Sequence, residues 1–238
     1  MTHFNSSEEL LIKSLKRNAT KHAFRLVEKL GSLKGLNNQI DMGKIVIAGG
    51  CFVSWFHNEE LNDIDVFYLD DHNTSFAGQA YIGNAIANRP NSIKSHEHYT
   101  RYNDMITSVF TEQEADTMFD YQYIFTKYKT RRELVDHFDL AHATISYNIG
   151  EAKLYITRQA YDALKNKKLV RNGKGDIAEW RVEKFLKRGW TKDKDFDKEA
   201  GDFLNSPIMP VSDTFSAFGP LKTPDELLKK MAAAALGS

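Results

Sequence analysis

The residues best suited to chemistry lie in the stretch IAGGCFVSWFHNEELNDIDVF, residues 47–67. Gly49 and Gly50 let the backbone approach a phosphate closely, with no Cβ in the way. A helix beginning just after them, at Cys51, would point free N–H groups at an anion. Asp63 and Asp65 sit at i and i+2, so on a strand their side chains leave the same face. Two carboxylates so placed suit Mg²⁺ (or Mn²⁺), a hard cation that takes oxygen ligands and keeps phosphate as a partner. Phosphates at the glycine turn and an ion at the acid pair could therefore meet on one nucleotide.

These residues need a strand, a glycine turn, a short helix and a second strand to bring them together. The apolar run 45–48 supplies the first strand, 51–57 the short amphipathic helix and 63–67 the second strand. The order is more informative than any one part, because an isolated Gly-Gly or Asp-x-Asp is common in ordinary turns and strand ends.

The rest of the chain must build a scaffold around this unit. It has 238 residues, 42% hydrophobic and 12% aromatic, enough for a substantial core and against global disorder. Lys plus Arg and Asp plus Glu balance at 32 each, so any attraction to nucleic acid must be local. The single cysteine, Cys51, excludes an intrachain disulfide and fits a reducing compartment. The N-terminus lacks a signal-peptide pattern, and no run approaches the ~20 apolar residues of a membrane helix. A cytoplasmic protein with no membrane partner is expected.

Ser6 and Ser7 before Glu8-Glu9 read as a helix start, followed by a stripe through Leu10, Leu11, Leu15, Phe24, Leu26, Val27 and Leu30. Residues 70–73 read as a turn, and residues 77–87 fit either helix or strand up to the break at Pro90. His96 and His98 read as a surface pair, since zinc needs a third ligand. Strands are expected at 105–110, 121–125 and 143–147, with residues 112–116 as an acidic connection and a helix at 131–137. Beyond 150 the chain turns helical and basic: Thr157 caps one helix, and Trp180, Val182, Phe185 and Leu186 stripe another that carries Arg181, Lys184, Lys187 and Arg188. Residues 206–223 read as a linker before a last helix over Leu227, Leu228 and Met231. The expected division is 1–150 for a catalytic domain with its N-terminal helix, 151–205 for a basic arm and 206–238 for the linker and terminal helix.

Strand, Gly49-Gly50, helix and Asp63-x-Asp65 together resemble the DNA polymerase β-type nucleotidyltransferase superfamily. The pattern is closest to the head domain of class II CCA-adding enzymes and bacterial poly(A) polymerases. Those families continue with a block read as Arg-Arg-Asp-Phe-Thr-Ile-Asn-Ala-Leu, and Asp139-Leu140-Ala141-His142-Ala143-Thr144-Ile145 stands at the corresponding place. The resemblance covers roughly residues 44–148. It implies an α/β (α+β) fold, a mixed-sheet nucleotidyltransferase core with a helical C-terminal arm. It also implies that Asp139 joins Asp63 and Asp65 as a third catalytic, metal-binding carboxylate, with Asp136 the alternative. Gly49, Gly50 and Cys51 would hold the nucleotide, with Arg181 reaching it from the arm, since a helical neck in those families holds base and nucleic acid. The sequence departs from the pattern in three ways: His137-Phe138 replaces the arginine pair, the asparagine is missing, and Cys51 stands where many members have serine.

The expected activity is metal-dependent transfer of an NMP from an NTP to an acceptor hydroxyl, an RNA 3′ end, with release of pyrophosphate. Two other readings stand beside it. One is an inactive relative that binds nucleotide or RNA or serves in assembly. The other is nucleotidyl transfer to a protein hydroxyl.

Overall fold

A computed structural model describes residues 4–33, 39–96, 103–113, 119–173 and 177–197, together with the backbone of 209–210. The chain opens with α1 (Ser6–Gly31), started by Asn5 in a capping box: Asn5 Oδ1 accepts the Glu8 N–H at 3.0 Å, and Glu8 Oε2 accepts the Asn5 N–H at 3.1 Å. The cap thus lies one residue before the expected Ser6. Strand β1 (Ile45–Ala48), helix α2 (Cys51–His57) and strand β2 (Asp63–Tyr68) follow as the apolar periodicity predicts. Residues 70–73 form no free turn; Asp71 instead accepts the Thr74 N–H at 2.8 Å and caps α3 (His72–Asn88). This settles the ambiguous stretch before Pro90 as helix.

Strands β3 (Ile93–Ser95), β4 (Ile106–Gln113) and β5 (Asp120–Thr126) come next, then helix α4 (Arg131–Asp136). Residues expected as one strand at 143–147 divide into a 3-10 turn, Ala141–Thr144, and β6 (Ser146–Asn148). Strand β7 (Lys153–Ile156), helix α5 (Arg158–Lys165), β8 (Lys168–Leu169), α6 (Glu179–Lys187), β9 (Thr191–Lys192) and β10 (Met209–Pro210) complete the described elements. His98 and the terminal helix expected over Leu227, Leu228 and Met231 lie outside the described residues.

One mixed sheet organises the fold, in the order β10-β7-β6-β1-β2-β5-β4-β3. Its pairings are antiparallel except for β2 with β5. The sheet therefore continues past residue 150 into β7. Alternation divides its side chains between two faces. Ile45, Ile47, Ile64, Val66, Tyr121 and Tyr123 pack into the main core with the buried stripe of α1 and with α3. Val46, Ala48, Phe67, Val109 and Ile124 face the other way, against Leu134 of α4 and Tyr128. Asp63 and Asp65 belong by register to this second face.

Ion pairs tie the later elements to this body. Glu8 of α1 is buried and takes Arg158 at 2.9 Å and Lys165 at 3.3 Å. Glu59 takes Lys167 at 3.2 Å and also Arg188. His142, fully buried, packs with Phe185 of α6 and Trp190, each 4.5 Å away between ring centroids. Burial, with the charges of Arg188, Arg181 and His57, pulls the His142 pKa down to about 3, so this ring is neutral where α6 docks. No helix among the described residues is long and apolar enough to cross a membrane.

Candidate active site

The site starts from backbone geometry at the end of β1. Gly49 has φ +90°, a left-handed conformation, and a Cβ built on it would lie 2.7 Å from Asp65 Oδ2. Glycine is required twice over, for the dihedral and for the carboxylate that takes the space. Gly50 is right-handed, begins α2, and a Cβ there would meet nothing within 4 Å. Gly49→Ala should therefore cost about 1–2 kcal/mol in backbone strain alone and displace Asp65. Gly50→Ala should fold like the native chain. Thermal unfolding of the two variants checks this asymmetry.

The register of β1 against β2 sets Ala48 opposite Asp65, which brings the second acid beside the turn. On the other side β5 runs parallel, with Asp120 opposite Asp63 and Gln122 opposite Asp65. Gln122 Nε2 donates to Asp63 Oδ2 at 3.2 Å. Neither Asp63 nor Asp65 has an ion-pair partner among the described residues. Burial and the neighbouring charge of Asp63 push the Asp65 pKa up to about 7, against the pull of Lys184 and Arg181. Burial also raises Asp63; Lys184 opposes the shift and Asp120 adds to it. Two half-buried acids whose charge is so poorly compensated make a place for a cation.

Cys51 is buried, with Sγ 3.7 Å from the Ala48 carbonyl oxygen. Burial and the charges of Asp65 and Asp63 push its thiol well up, so it stays neutral. Its side chain turns into the core, leaving only its backbone N–H to serve a nucleotide.

Asp139 follows α4 and is held by α6: Arg181 Nη1 donates to Asp139 Oδ2 at 2.6 Å. Among the described residues no group of three or more His, Cys, Asp or Glu is arranged to hold a metal ion. Asp139, the third acid expected beside Asp63 and Asp65, is engaged by the Arg181 guanidinium. Asp136, the alternative, pairs with Arg132 at 2.7 Å one helical turn away. Arg181, paired with Asp139, also pulls the Asp65 pKa down through its charge. Lys184 lies one turn further along α6 and acts on both paired acids. Lys184, Asp120 and Gln122 were not singled out from the sequence as site residues. The i, i+3 spacing of Arg181 and Lys184 was a usable signal, whereas Asp120 and Gln122 join only through the parallel pairing of β2 with β5.

The basic arm is less free than its composition suggests. Besides the pairs already described, Lys187 meets Glu183 at 3.6 Å and Lys192 meets Asp197 at 2.8 Å. Trp180 stays largely exposed, with the Arg181 guanidinium 5.2 Å from its ring centroid.

Comparison with solved structures places this fold. The apo form of a CCA-adding enzyme superposes with a TM-score of 0.51 at 11% identity, covering 78% of this chain and 42% of that one. A Thermotoga maritima CCA-adding enzyme complexed with tRNA gives 0.46 at 12% identity, over 82% of this chain and 44% of that one. A CCA-adding enzyme complexed with ATP gives 0.46 at 13% identity, over 98% and 55%. The chain thus spans less than half the length of the first of these, and what it shares with that enzyme is the nucleotidyltransferase-like fold. No curated protein sequence matches. The family model for Gabija anti-defense 2 proteins matches residues 14–167, the sheet and helices that carry the acid pair and the glycine turn, and the chain belongs to that family.

Proposed function

We propose that this protein moves a nucleotidyl group from an NTP to an acceptor hydroxyl and releases pyrophosphate, at the face carrying Asp63 and Asp65. The observation that carries this reading is the pair itself: two carboxylates on one strand face, without an ion-pair partner among the described residues, against a glycine turn shaped around one of them. Hard oxygen donors at this spacing fit Mg²⁺ or Mn²⁺, which commonly bind one or two carboxylates plus substrate phosphates. Asp63 and Asp65 would hold the ion, and Asp139, engaged by Arg181, would not. When bound, such an ion withdraws charge from phosphoryl oxygens and lowers the pKa of a coordinated hydroxyl.

The chain's own groups do the rest. Gln122 orients Asp63 through its amide. Gly50 is exposed and its backbone can approach the triphosphate, Gly49 is buried against Asp65, and Arg181 and Lys184 on α6 offset the negative charge. The acceptor oxygen bonds to the α-phosphorus, the bond to the pyrophosphate oxygen breaks, and the acceptor's proton passes to the carboxylate pair. In this reading residues 1–150 carry the nucleotide site, 151–205 form the arm, and the protein works in the cytoplasm.

An RNA 3′ end is the first acceptor to test, because the arm follows the site and keeps Trp180 exposed for stacking on a base. A protein hydroxyl is the second, favoured by the ion pairing that neutralises much of the arm and by the anti-defense description of the family. The experiment is incubation with each α-phosphate-labelled NTP, Mg²⁺, and separate RNA and protein fractions. Label in one fraction identifies the acceptor class. NTP binding with label in neither fraction supports the inactive relative instead. Asp139→Asn should lower transfer far less than loss of either paired acid, about tenfold or less, since it frees Arg181 without removing an ion ligand. Steady-state rates of the two kinds of variant check this.

A further inference from the structure

The acid pair occupies only one end of its sheet face. Successive registers align Gln122, Asp65, Ala48, Ser146 and Tyr155 in a row across β5, β2, β1, β6 and β7. Their side chains share a face, and Ser146 lies two strand spacings from Asp65, about 10 Å. Ala48, between them, is packed in the second core cluster, and Ser146 is itself fully buried, so Ser146 serves to hold what lies over it. At the far end stands Arg131, the first residue of α4. Its Nη1 donates to Ser146 Oγ at 3.2 Å, and its guanidinium lies over the Tyr155 ring, 3.8 Å from the centroid. The Tyr155 hydroxyl donates to Glu151, which fixes the ring.

Arg131 differs from the other arginines nearby. Arg132, Arg158, Arg181 and Arg188 each meet a carboxylate. Arg131 has no carboxylate in ion-pair range among the described residues, although it is half-buried. Burial pulls its pKa down from the ordinary guanidinium range, opposed by Tyr155 and Glu151. A planar fork stacked on an aromatic ring, with donors left over, is matched to a tetrahedral oxyanion.

We propose that the half-buried Arg131, held by Ser146 and stacked on Tyr155, forms a second subsite on this face, which binds a phosphate oxyanion about 10 Å from the acid pair. It rests on the nucleotidyl-transfer reading for its role. The oxyanion comes either from the tail of the NTP or from the backbone of a polynucleotide acceptor, and the chemistry of recognition is the same.

The test titrates the full chain with inorganic tripolyphosphate and, separately, with a short single-stranded RNA. Arg131→Gln should weaken one of the two by about tenfold. Loss with tripolyphosphate assigns the subsite to the NTP tail, and loss with RNA assigns it to the acceptor. Arg131→Lys keeps the charge but not the fork, and should show an intermediate loss; it decides the matter if the glutamine variant does not fold. Native affinity for both probes in the decisive variant, or no binding of either probe by the native chain, overturns the subsite. With both titrations run in EDTA, Asp65→Asn separates this from the underlying reading, because without an ion it only removes a negative charge and should not weaken either anion. Unchanged turnover in Asp65→Asn would defeat the transfer reading while leaving the subsite result intact.

Discussion

Asp65→Asn should abolish nucleotidyl transfer, by about a thousandfold or more, and leave the protein folded. Of the two proposed ligands Asp65 is the one whose carboxylate lies against Gly49, and the amide offers a weaker neutral oxygen in the same volume. The fold should survive, and near neutral pH it should be more stable. Asp65 has its pKa raised by burial and by Asp63 from 3.8 to about 7 in the folded chain. A carboxyl group raised on folding binds more protons folded than unfolded, so its ionisation removes stability as pH rises from about 4 to about 7. The asparagine variant lacks that loss. Its melting temperature should exceed the native value at pH 8, and the gap should narrow at pH 5. Added Mg²⁺ should raise the native melting temperature at pH 8 and not that of the variant. A variant that is less stable at pH 8 would contradict the electrostatic account, even with transfer abolished.

Glu112→Gln should have the largest effect on stability and little on chemistry. Glu112 is wholly buried in β4 and accepts from Lys29 at 2.8 Å, Arg89 at 2.7 Å, Tyr81 at 2.9 Å and Tyr123 at 2.6 Å. Burial alone would raise its pKa, but the bonds from Lys29 and Tyr123, Lys29's charge and the Tyr81 bond hold it below the usual value. Its contribution is present above the unfolded carboxylate pKa and is lost as pH falls through the lower folded one. Neutralising it removes the carboxylate charge facing Lys29 and Arg89 and costs about 3 kcal/mol, the lower end for a broken buried pair because Arg89 is half in solvent. Denaturant unfolding at pH 7 measures this, and a loss below about 1 kcal/mol would show the network to be slack.

Glu112 also shows where a linear reading stops. In sequence it belongs to an acidic run, which suggests a connecting loop; in the fold it is a core residue, because Lys29 and Arg89 arrive from elements distant in the chain. The β1–α2–β2 unit was legible because its signals are local: apolar strands, a glycine turn and an i, i+2 acid pair whose face follows from strand geometry alone. Asp71 looks like part of a turn in sequence and is a helix cap in the fold, since the two use the same residue types. The salt bridge of Asp139 to Arg181 was not legible, because it depends on how α6 docks, with the neutral His142 packed against Phe185 and Trp190. Asp120, Gln122 and the Arg131–Ser146–Tyr155 group all depend on strand neighbours that no spacing in the sequence reveals.

The most direct measurement follows pyrophosphate and the α-phosphate together, with the full chain, Mg²⁺ and each NTP in turn. The account predicts one pyrophosphate released for each α-label joined to an acceptor, with both signals lost in Asp63→Asn and in Asp65→Asn. Pyrophosphate release that persists in both variants, or an NTP held tightly with no release in the presence of RNA and protein acceptors, would contradict it.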